Sequence, residues 1–374
     1  MTAPNALEDP SALRQQFITG LIESGAIPNP QWQEAFRTVA RHRFVTRFTA
    51  SGTRTAFDLA DPTQRSAALK ACYSNETLLT QQDAGGSYTS SSTEVTLMAL
   101  MLDQLDARPG HSVLEIGTGT GYNAALLCHV LGNAAVASVD IDPTLIDAAR
   151  RALESTGYRP TVVCDDGAMG IPAHAPFDRI IATCGVLRIP PAWPAQLKPN
   201  GVIVVNVGIG LARLVRGDDG GVVGPFIGEA AFMRLRHNVS ERAITTRELV
   251  AATSSDTSAP TTRDFPAALA TRTFQVIAAW VLPSVEWVTI LDPRVHIFVD
   301  PETASWVRAS PIDGDRAAVI EHGPRRLWSE LGMLAARWER AGRPSPTRFG
   351  LSVTADGDHR LWLDRADAVF CELG

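Results

Sequence analysis

A short apolar strand followed at once by a glycine-rich loop constrains this chain more than any other feature. Val113 to Ile116 is apolar enough for a buried parallel strand, and glycines follow at positions 117, 119 and 121. Because glycine reaches positive φ and lets a ligand approach the backbone, the loop predicts a sharp turn around a bound molecule. A second apolar run ends in Asp140, at about the twenty-residue spacing at which a Rossmann-like unit places a carboxylate on a ribose diol.

The glycine spacing discriminates between two kinds of nucleotide site. A G-x-G-x-x-G loop holds a pyrophosphate at a helix N-terminus, whereas here Glu115 begins the pattern E-x-G-x-G-x-G. That pattern resembles the first motif of S-adenosylmethionine (SAM) methyltransferases, whose cofactor has no phosphate. A purely structural glycine turn in another α/β protein is the alternative.

Strand and helix patterns alternate through the middle of the chain. Strands are expected at 161–164, 177–183 and 201–207, and Asp142 with Pro143 can begin a helix ahead of the first of these. Two apolar runs then flank the glycine- and aspartate-rich turn 217–221, which predicts a hairpin. The pattern predicts an α/β fold, a Rossmann-like and mostly parallel methyltransferase sheet with an antiparallel edge hairpin.

The regions on either side of this sheet differ from it. We expect an N-terminal helical region at 1–80, a SAM-binding methyltransferase domain at 81–250 and a C-terminal α+β extension at 251–374. Small polar residues predict a flexible loop at 84–93, and a Thr/Ser/Asp/Pro-rich stretch predicts a linker at 253–262. The extension shows a strand, an amphipathic helix and a closing hairpin, at 295–299, 327–338 and around Asp356-Gly357.

A basic flank accompanies the second predicted helix. It is made of Arg37, Arg41, His42, Arg43, Arg47 and Arg54. Such a run is either a solvated face or a cationic rim that attracts an acidic peptide.

Composition excludes several classes of function. A net charge of −6 argues against general nucleic-acid binding, and the sequence lacks an apolar run of the roughly 18 residues that a membrane helix needs. The start of the sequence lacks a signal-peptide pattern, so we expect a cytoplasmic location. Five scattered cysteines without C-x-x-C spacing predict reduced thiols, with Cys164 and Cys184 as small core residues. We expect no metal site.

A further acidic signal follows the third predicted strand. Asp166 can accept a hydrogen bond from an adenine amino group, with Gly167 beside the ring, although Asp-Gly also favours a turn or a helix cap. Glycine loop, Asp140 and Asp166 all fall at the carboxyl ends of successive strands, where open α/β sheets bind ligands. The predicted cofactor-binding residues are Glu115, Gly117, Thr118, Gly119, Gly121, Asp140, Ile141, Asp166 and Gly167.

Several separated motifs occur in the order of a known family. They are Arg41-His42-Arg43-Phe44-Val45, Val113 to Tyr122, Ser138 to Pro143, Asp166-Gly167, and Ile189 to Gly201. Over roughly residues 30 to 210 the chain resembles protein-L-isoaspartate O-methyltransferases. The resemblance implies methyl transfer from SAM to the α-carboxylate of isoaspartate in damaged proteins, with S-adenosylhomocysteine as the second product.

One segment departs from that family. Repair enzymes carry a signature like T-I-S-Q-P, and counting back from Pro109-Gly110 aligns its serine with Thr93, its glutamine with Glu94 and its proline with Val95. A hydroxyl is kept, but the proline is lost and a carboxylate is gained. Because an aspartate carboxylate is already ionised at neutral pH, the site needs no general base and has only to orient it. The candidate catalytic residues are therefore Thr93, Ser92 and Ser91.

The altered segment and the long C-terminal region resemble a narrower group. They are similar to family homologues that accompany ribosomally made peptides of the graspetide, lanthipeptide and lasso-peptide classes. That resemblance implies methylation of an aspartate in a macrocyclised precursor peptide, leading to an aspartimide or isoaspartate. The partners would be the modified precursor and a peptide macrocyclase. We expect the C-terminal extension to be absent from repair enzymes. In this chain it would help to hold the peptide.

Two alternatives remain open from the sequence. One is an isoaspartate repair enzyme with a decorated C-terminus, and the other is a peptide-binding module whose SAM site is vestigial. Intact glycines and acidic residues argue against the second. The sequence does not identify the precursor, the methylated aspartate, the oligomeric state, or whether the extension would recognise leader or core.

Overall fold

The computed structural model describes residues 9–237, 245–313 and 315–373. Its strands form a four-stranded sheet near the N-terminus, a ten-stranded central sheet and a five-stranded sheet in the C-terminal region. The α/β class predicted from the alternating pattern is confirmed.

The N-terminal region combines helices with a small antiparallel sheet. Its elements are α1 (Pro10–Glu23), α2 (Pro30–Thr38), β1 (Arg47–Ala50), β2 (Ala56–Asp58), α3 (Arg65–Cys72), β3 (Leu78–Gln82), β4 (Tyr88–Ser92) and α4 (Val95–Leu105). The side chains of Asp9 and Asn29 cap α1 and α2, each followed by proline at the first helical position. The sheet has the order β2-β1-β3-β4. The region predicted as helical thus also contains three short strands, whose polar residues give no clear alternation.

The central sheet contains the predicted methyltransferase elements. They are β5 (Val113–Ile116), α5 (Tyr122–Leu131), β6 (Val136–Asp140), α6 (Pro143–Ser155), β7 (Thr161–Cys164), β8 (Phe177–Val186), α7 (Ala192–Ala195), β9 (Leu197–Val207), β10 (Gly210–Arg216) and β11 (Val222–Glu229). Strands β7, β6, β5, β8 and β9 are parallel neighbours, and β10 and β11 form the predicted antiparallel hairpin. The strand order reverses at β5, and open α/β sheets bind ligands in the crevice beside such a switch point.

The C-terminal region has its own sheet and helices. Its elements are α8 (Thr246–Ser255), β12 (Thr261–Asp264), α9 (Arg272–Val281), β13 (Glu286–Leu291), β14 (Arg294–Asp300), β15 (Ser305–Asp313), β16 (Arg316–His322), α10 (Leu327–Arg340), β17 (Phe349–Val353), β18 (His359–Leu363) and β19 (Val369–Leu373). The linker predicted at 253–262 is wrong at both ends, because Thr253 is buried at the end of α8 and Thr261 begins β12. The predicted helix and closing hairpin are present as α10 and β17–β18.

The last three strands belong to the central sheet. Strand β17 pairs with β11, so the sheet continues as β11-β17-β18-β19. Buried side chains of α9 and α10 share one apolar cluster with β8 and β9, among them Trp280, Trp338, Ile180 and Ile203. The division between 250 and 251 stays a prediction, but the two sides of that division share a core.

The burial of the cysteine side chains agrees only partly with the expectations. Cys72, Cys128 and Cys371 are buried free thiols, Cys184 is half-buried, and Cys164 is exposed at the end of β7, so its expected core position is wrong.

Within the described residues, no group of acidic, histidine or cysteine side chains could hold a metal ion. The helices of that same part are too short or too polar to span a bilayer.

Candidate functional site

A cleft lies at the carboxyl ends of β5 and β6, beside the point where the strand order reverses. It spans about 840 Å³ of space, open solvent included, between the glycine loop and strand β4. The cleft joins residues from the N-terminal sheet, the central sheet and the segment after β11.

The first two glycines of the loop form a tight floor for this cleft. Gly117 has a φ of 95°, and a Cβ on it would lie 2.9 Å from Thr183 Oγ1. Gly119 has a φ of 51°, and a Cβ there would contact the carbonyl oxygen of Ser91 at 3.7 Å. Both positions therefore favour glycine for its backbone conformation, and Gly117 also for its close approach to Thr183.

Gly121 has a different role from the other two. It precedes α5 with a φ of 83°, and a Cβ on it would lie 3.3 Å from side-chain atoms of Ala149 and Leu153 in α6. It lies outside the lining of the cleft. Gly121 thus brings two helices together, and its predicted contact with a cofactor remains a prediction.

Glu115 is a fully buried carboxylate at the back of the cleft. It accepts hydrogen bonds from Ser138 Oγ at 2.5 Å and from Asn123 Nδ2 at 2.8 Å. Burial raises the pKa of Glu115 to about 7, although these two hydrogen bonds oppose the shift. Asn123 is 5% exposed and its Oδ1 has no hydrogen-bond partner among the described residues. An orphaned acceptor beside a buried carboxylate calls for a donor, most favourably a cationic one.

Asp140 joins the glycine loop to the start of α6. Its Oδ2 accepts a hydrogen bond from the backbone N–H of Gly119 at 2.9 Å, and its Oδ1 accepts one from Asp142 at 3.1 Å. Burial raises the pKa of Asp140, while those backbone hydrogen bonds lower it. Asp140, Thr118 and Ile141 all line the cleft. A carboxylate fixed in this way can accept hydrogen bonds from a diol.

Asp166 and Gly167 have different roles in the structure. Asp166 Oδ1 caps a short 3₁₀ helix by accepting from Ala168, and its Oδ2 lies 3.1 Å from His237 Nδ1. Gly167 lines the cleft, and a Cβ on it would lie 2.8 Å from Ile116 and 3.1 Å from Leu235. The helix-cap interpretation thus describes the Asp166 side chain, and contact between Asp166 and a cofactor stays a prediction.

The serine-rich part of the expected loop at 84–93 is strand β4 (Tyr88–Ser92), so the loop prediction is wrong there, whereas residues 84–87 form an exposed turn. Ser90 and Ser92 of β4 are each 5% exposed, and Thr93 is 9% exposed. Ser91, Ser92 and Thr93 line the same cleft as Gly117 and Gly119. Alternate residues of a strand point to opposite faces, and half-buried polar strands lack the apolar alternation by which strands are predicted.

Arg41 fixes the end of this strand. It was expected in a solvated basic face or rim, but it is 1% exposed. Its guanidinium donates to the carbonyl oxygens of Ser92 and Thr93 at 3.0 and 2.9 Å. Arg43, Arg47 and Arg54 of the same run are exposed. The difference arises because the short 3₁₀ helix at 41–43 turns only its first residue inward.

Two contacts that the sequence did not predict cross the rim of the cleft. A β-bulge in β3 re-aims Gln81, whose Nε2 donates to Asp142 Oδ2 at 3.0 Å. Residues 233–236, which we call the strap, run along the end of β8 through hydrogen bonds with Gly185. Arg236 of the strap reaches the same Asp142 oxygen at 4.0 Å. A single-sequence signal for the strap is absent, since irregular segments have no periodicity.

The described residues fit SAM better than a phosphate-bearing nucleotide. SAM carries an ammonium group, a cationic sulfur and a ribose. The orphaned Asn123 Oδ1, the Glu115 carboxylate and the Asp140 carboxylate supply acceptors for such groups. A pyrophosphate beside these two carboxylates would be repelled. Because Gly117 and Gly119 have no side chains, a ligand can approach the backbone of the loop closely.

Comparison with known proteins identifies the family of this chain. A family model described as protein-L-isoaspartate(D-aspartate) O-methyltransferase matches residues 12–239. The protein-L-isoaspartate O-methyltransferase of Methanosarcina mazei is 32% identical over 206 residues, covering 54% of this chain and 74% of that protein. The one from Methanococcoides burtonii is 41% identical over 144 residues, covering 37% of this chain and 71% of that protein.

A solved structure extends the likeness to the C-terminal region. It bears the name protein-L-isoaspartate O-methyltransferase, has a TM-score of 0.56 at 22% identity, and covers 94% of this chain and 100% of its own. At that identity the match shows the fold alone. Since so little of this chain is left unmatched, the expected absence of a C-terminal region from enzymes of this name does not hold for that structure.

Proposed function

The chain belongs to the protein-L-isoaspartate O-methyltransferase family, and from that premise we propose that it methylates the carboxylate of isoaspartyl residues in peptides or proteins. It is a SAM-dependent carboxyl O-methyltransferase, and S-adenosylhomocysteine is its second product. The observation that carries the proposal is the meeting of Ser91, Ser92 and Thr93 with Gly117 and Gly119 in one cleft.

The acceptor requires orientation more than activation. An isoaspartyl α-carboxylate is ionised at neutral pH, because an unperturbed α-carboxyl pKa is about 3.5. SAM, when bound, supplies a methyl group on a cationic sulfur. Thr93 and Ser91 line the cleft, and within the described residues neither hydroxyl is engaged in a hydrogen bond. They can hold one carboxylate oxygen and leave the other free to react.

Apolar residues around the cleft exclude water from the acceptor. Met98 and Ile116 line it from the central part of the fold, and Met233 and Leu235 line it from the strap. A carboxylate that loses part of its hydration is a stronger nucleophile, provided that the remaining polar groups are already oriented. The strap therefore helps to exclude water from the acceptor and takes no part in proton transfer.

A second acceptor is an aspartate side chain in a ribosomally made, macrocyclised precursor peptide. It is favoured by the sequence Thr93-Glu94-Val95, where the isoaspartate enzymes are expected to have a serine, glutamine and proline. Glu94 precedes α4 and is half-buried, so it adds an acidic group near the hydroxyl strand.

Three peptides of one sequence distinguish these acceptors, with isoaspartate, linear aspartate or macrocycle-enclosed aspartate at one position. Radiolabelled SAM and mass spectrometry should show methyl gain on the isoaspartyl peptide alone. Methyl gain and later loss of methanol only on the macrocycle would support the second acceptor. Thr93→Ala should reduce turnover more than affinity for S-adenosylhomocysteine, whereas the exposed Thr347→Ala serves as the control.

The alternative of a binding module is tested by titration. Calorimetry without any heat of binding for SAM or S-adenosylhomocysteine would support a vestigial site. Membership of a methyltransferase family argues against that outcome. A cytoplasmic location and a macrocyclase partner stay predictions.

A further inference from the structure

Arg41 is a buried cation placed directly behind the hydroxyl strand. Besides the carbonyl oxygens of Ser92 and Thr93, its guanidinium reaches the side chain of Ser92, with Nε donating to Oγ at 3.3 Å. On its other side it donates to the carbonyl oxygens of Cys72, Ser74 and Glu76, at 3.2 to 3.3 Å. One side chain thus ties the end of β4 to the segment between α3 and β3.

Glu94 interacts electrostatically with Arg41, but its carboxylate is not among the hydrogen-bond acceptors of the guanidinium. Within the described residues, the acceptors of its hydrogen bonds are carbonyl and hydroxyl oxygens, with no carboxylate among them. Arginine keeps its proton in proteins. A buried charge is screened less than a surface charge, so its field extends into the adjoining cleft.

The hydrogen bond to Ser92 also sets the direction of the serine hydroxyl. Because Arg41 Nε–H donates to Ser92 Oγ, the hydrogen of that hydroxyl must point away from the arginine. Ser92 lines the cleft and shares a strand face with Ser90, whose Oγ lies 3.8 Å from a Cβ built on Gly119, so its hydroxyl can donate into the cleft. Donation from a cation also strengthens the donor ability of the hydroxyl, as in other polarised chains of hydrogen bonds.

We propose that Arg41 is a positioning residue that fixes Ser92 as a hydrogen-bond donor to the acceptor carboxylate and attracts that carboxylate from behind the strand. The inference rests on the proposed function, since it assumes an anionic acceptor in this cleft. A guanidinium in direct contact would pair with both carboxylate oxygens and weaken the nucleophile. A guanidinium one layer back favours binding of the anion and leaves the reacting oxygen free. Once methylation removes the charge, this attraction for the product is lost.

The test separates acceptor binding from folding and from cofactor binding. Ser92→Ala and Arg41→Gln should each raise KM for the isoaspartyl peptide about tenfold, as expected when one charge-assisted hydrogen bond is lost. The Kd for S-adenosylhomocysteine, measured by calorimetry, should stay unchanged. The double variant should lose less than the sum of the two single losses, because both changes remove the oriented donor at Ser92 and only Arg41→Gln also removes the attraction of the charge. Arg41→Lys, which keeps the charge, should recover part of the loss.

Arg365→Gln provides a matched control, since it removes one positive charge from an exposed turn far along the chain. Its KM should equal that of the wild type. Additive losses in the double variant, or an equal KM in Ser92→Ala and wild type, would overturn the inference. If the Arg41 variants do not fold, the KM of Ser92→Ala alone decides. A wild type that methylates no isoaspartyl peptide would refute the proposed function itself, whereas active wild type with fully active variants refutes only the role of Arg41.

Discussion

Replacing Gly117 by alanine tests whether the glycine loop is a tight backbone cradle. A methyl group there would lie 2.9 Å from Thr183 Oγ1, and the residue has a φ of 95°. Gly157 is a matched control, because its φ is 87° but a Cβ on it would meet nothing within 4 Å. Both substitutions place alanine at positive φ, and only Gly117→Ala adds a steric conflict.

The two effects have separable magnitudes. An L-residue at positive φ costs about 1–2 kcal/mol, and we expect this loss in both variants. Overpacking adds about 1–3 kcal/mol at Gly117 alone. Thr183 cannot rotate away cheaply, since its Oγ1 donates to the carbonyl oxygen of Gly117 at 2.7 Å. The predicted losses in free energy of unfolding are about 2–5 kcal/mol for Gly117→Ala and about 1–2 kcal/mol for Gly157→Ala.

Urea unfolding and calorimetry with S-adenosylhomocysteine provide the measurements. Gly117→Ala should also weaken binding of that ligand at least tenfold, or about 1.4 kcal/mol, because the shifted loop forms the floor of the cleft. Gly157→Ala should bind it with wild-type affinity. Equal losses of stability in the two variants, together with unchanged affinity in Gly117→Ala, would refute the reasoning.

Three further perturbations follow from the buried charges and the helix cap. Because burial raises the pKa of Glu115 to about 7, ionising it destabilises the fold as pH rises from its unfolded pKa, about 4.3, towards 7. Glu115→Gln should therefore lose less stability between pH 5 and 8 than the wild type, by up to about 3 kcal/mol in urea unfolding. Asp142→Ala should cost about 1 kcal/mol through loss of the α6 cap, whereas Asp142→Asn, which can keep the cap, should unfold at nearly the wild-type urea midpoint. Arg325→Met removes the ion-pair partner of Asp300 at 2.9 Å, while Thr303 and the Glu302 N–H still donate to that carboxylate, and should cost about 1.5–3 kcal/mol; an unchanged thermal midpoint would contradict this.

The local sequence was sufficient to predict that the glycine loop and Asp140 line one cleft. The strand at Val113 to Ile116, the glycines after it and Asp140 are contiguous or separated by one helix. Their geometry follows from strand periodicity, glycine conformations and the Asp142-Pro143 helix start, all of which are short-range effects. The hairpin at β10 and β11 was equally predictable from its turn residues.

The side of the cleft formed by the hydroxyl strand depended on contacts that no local pattern encodes. Ser91 and Ser92 look like loop residues in sequence, yet pairing with β3 makes them a strand. Arg41 looks like a surface charge, yet carbonyl oxygens from two distant segments surround it. Polar residues enter a protein interior wherever hydrogen-bond partners are available, and those partners are known only once the chain has folded.

The same division applies to the whole chain. The sequence by itself determined the central α/β unit and the kind of ligand its glycine loop can admit, because backbone conformation and side-chain periodicity act over a few residues. Only the tertiary structure decided that β17 to β19 complete the central sheet, that the strap closes one rim, and that a buried guanidinium supports the hydroxyl strand. These features arise from pairing and burial between segments far apart in the chain, which a local pattern does not specify.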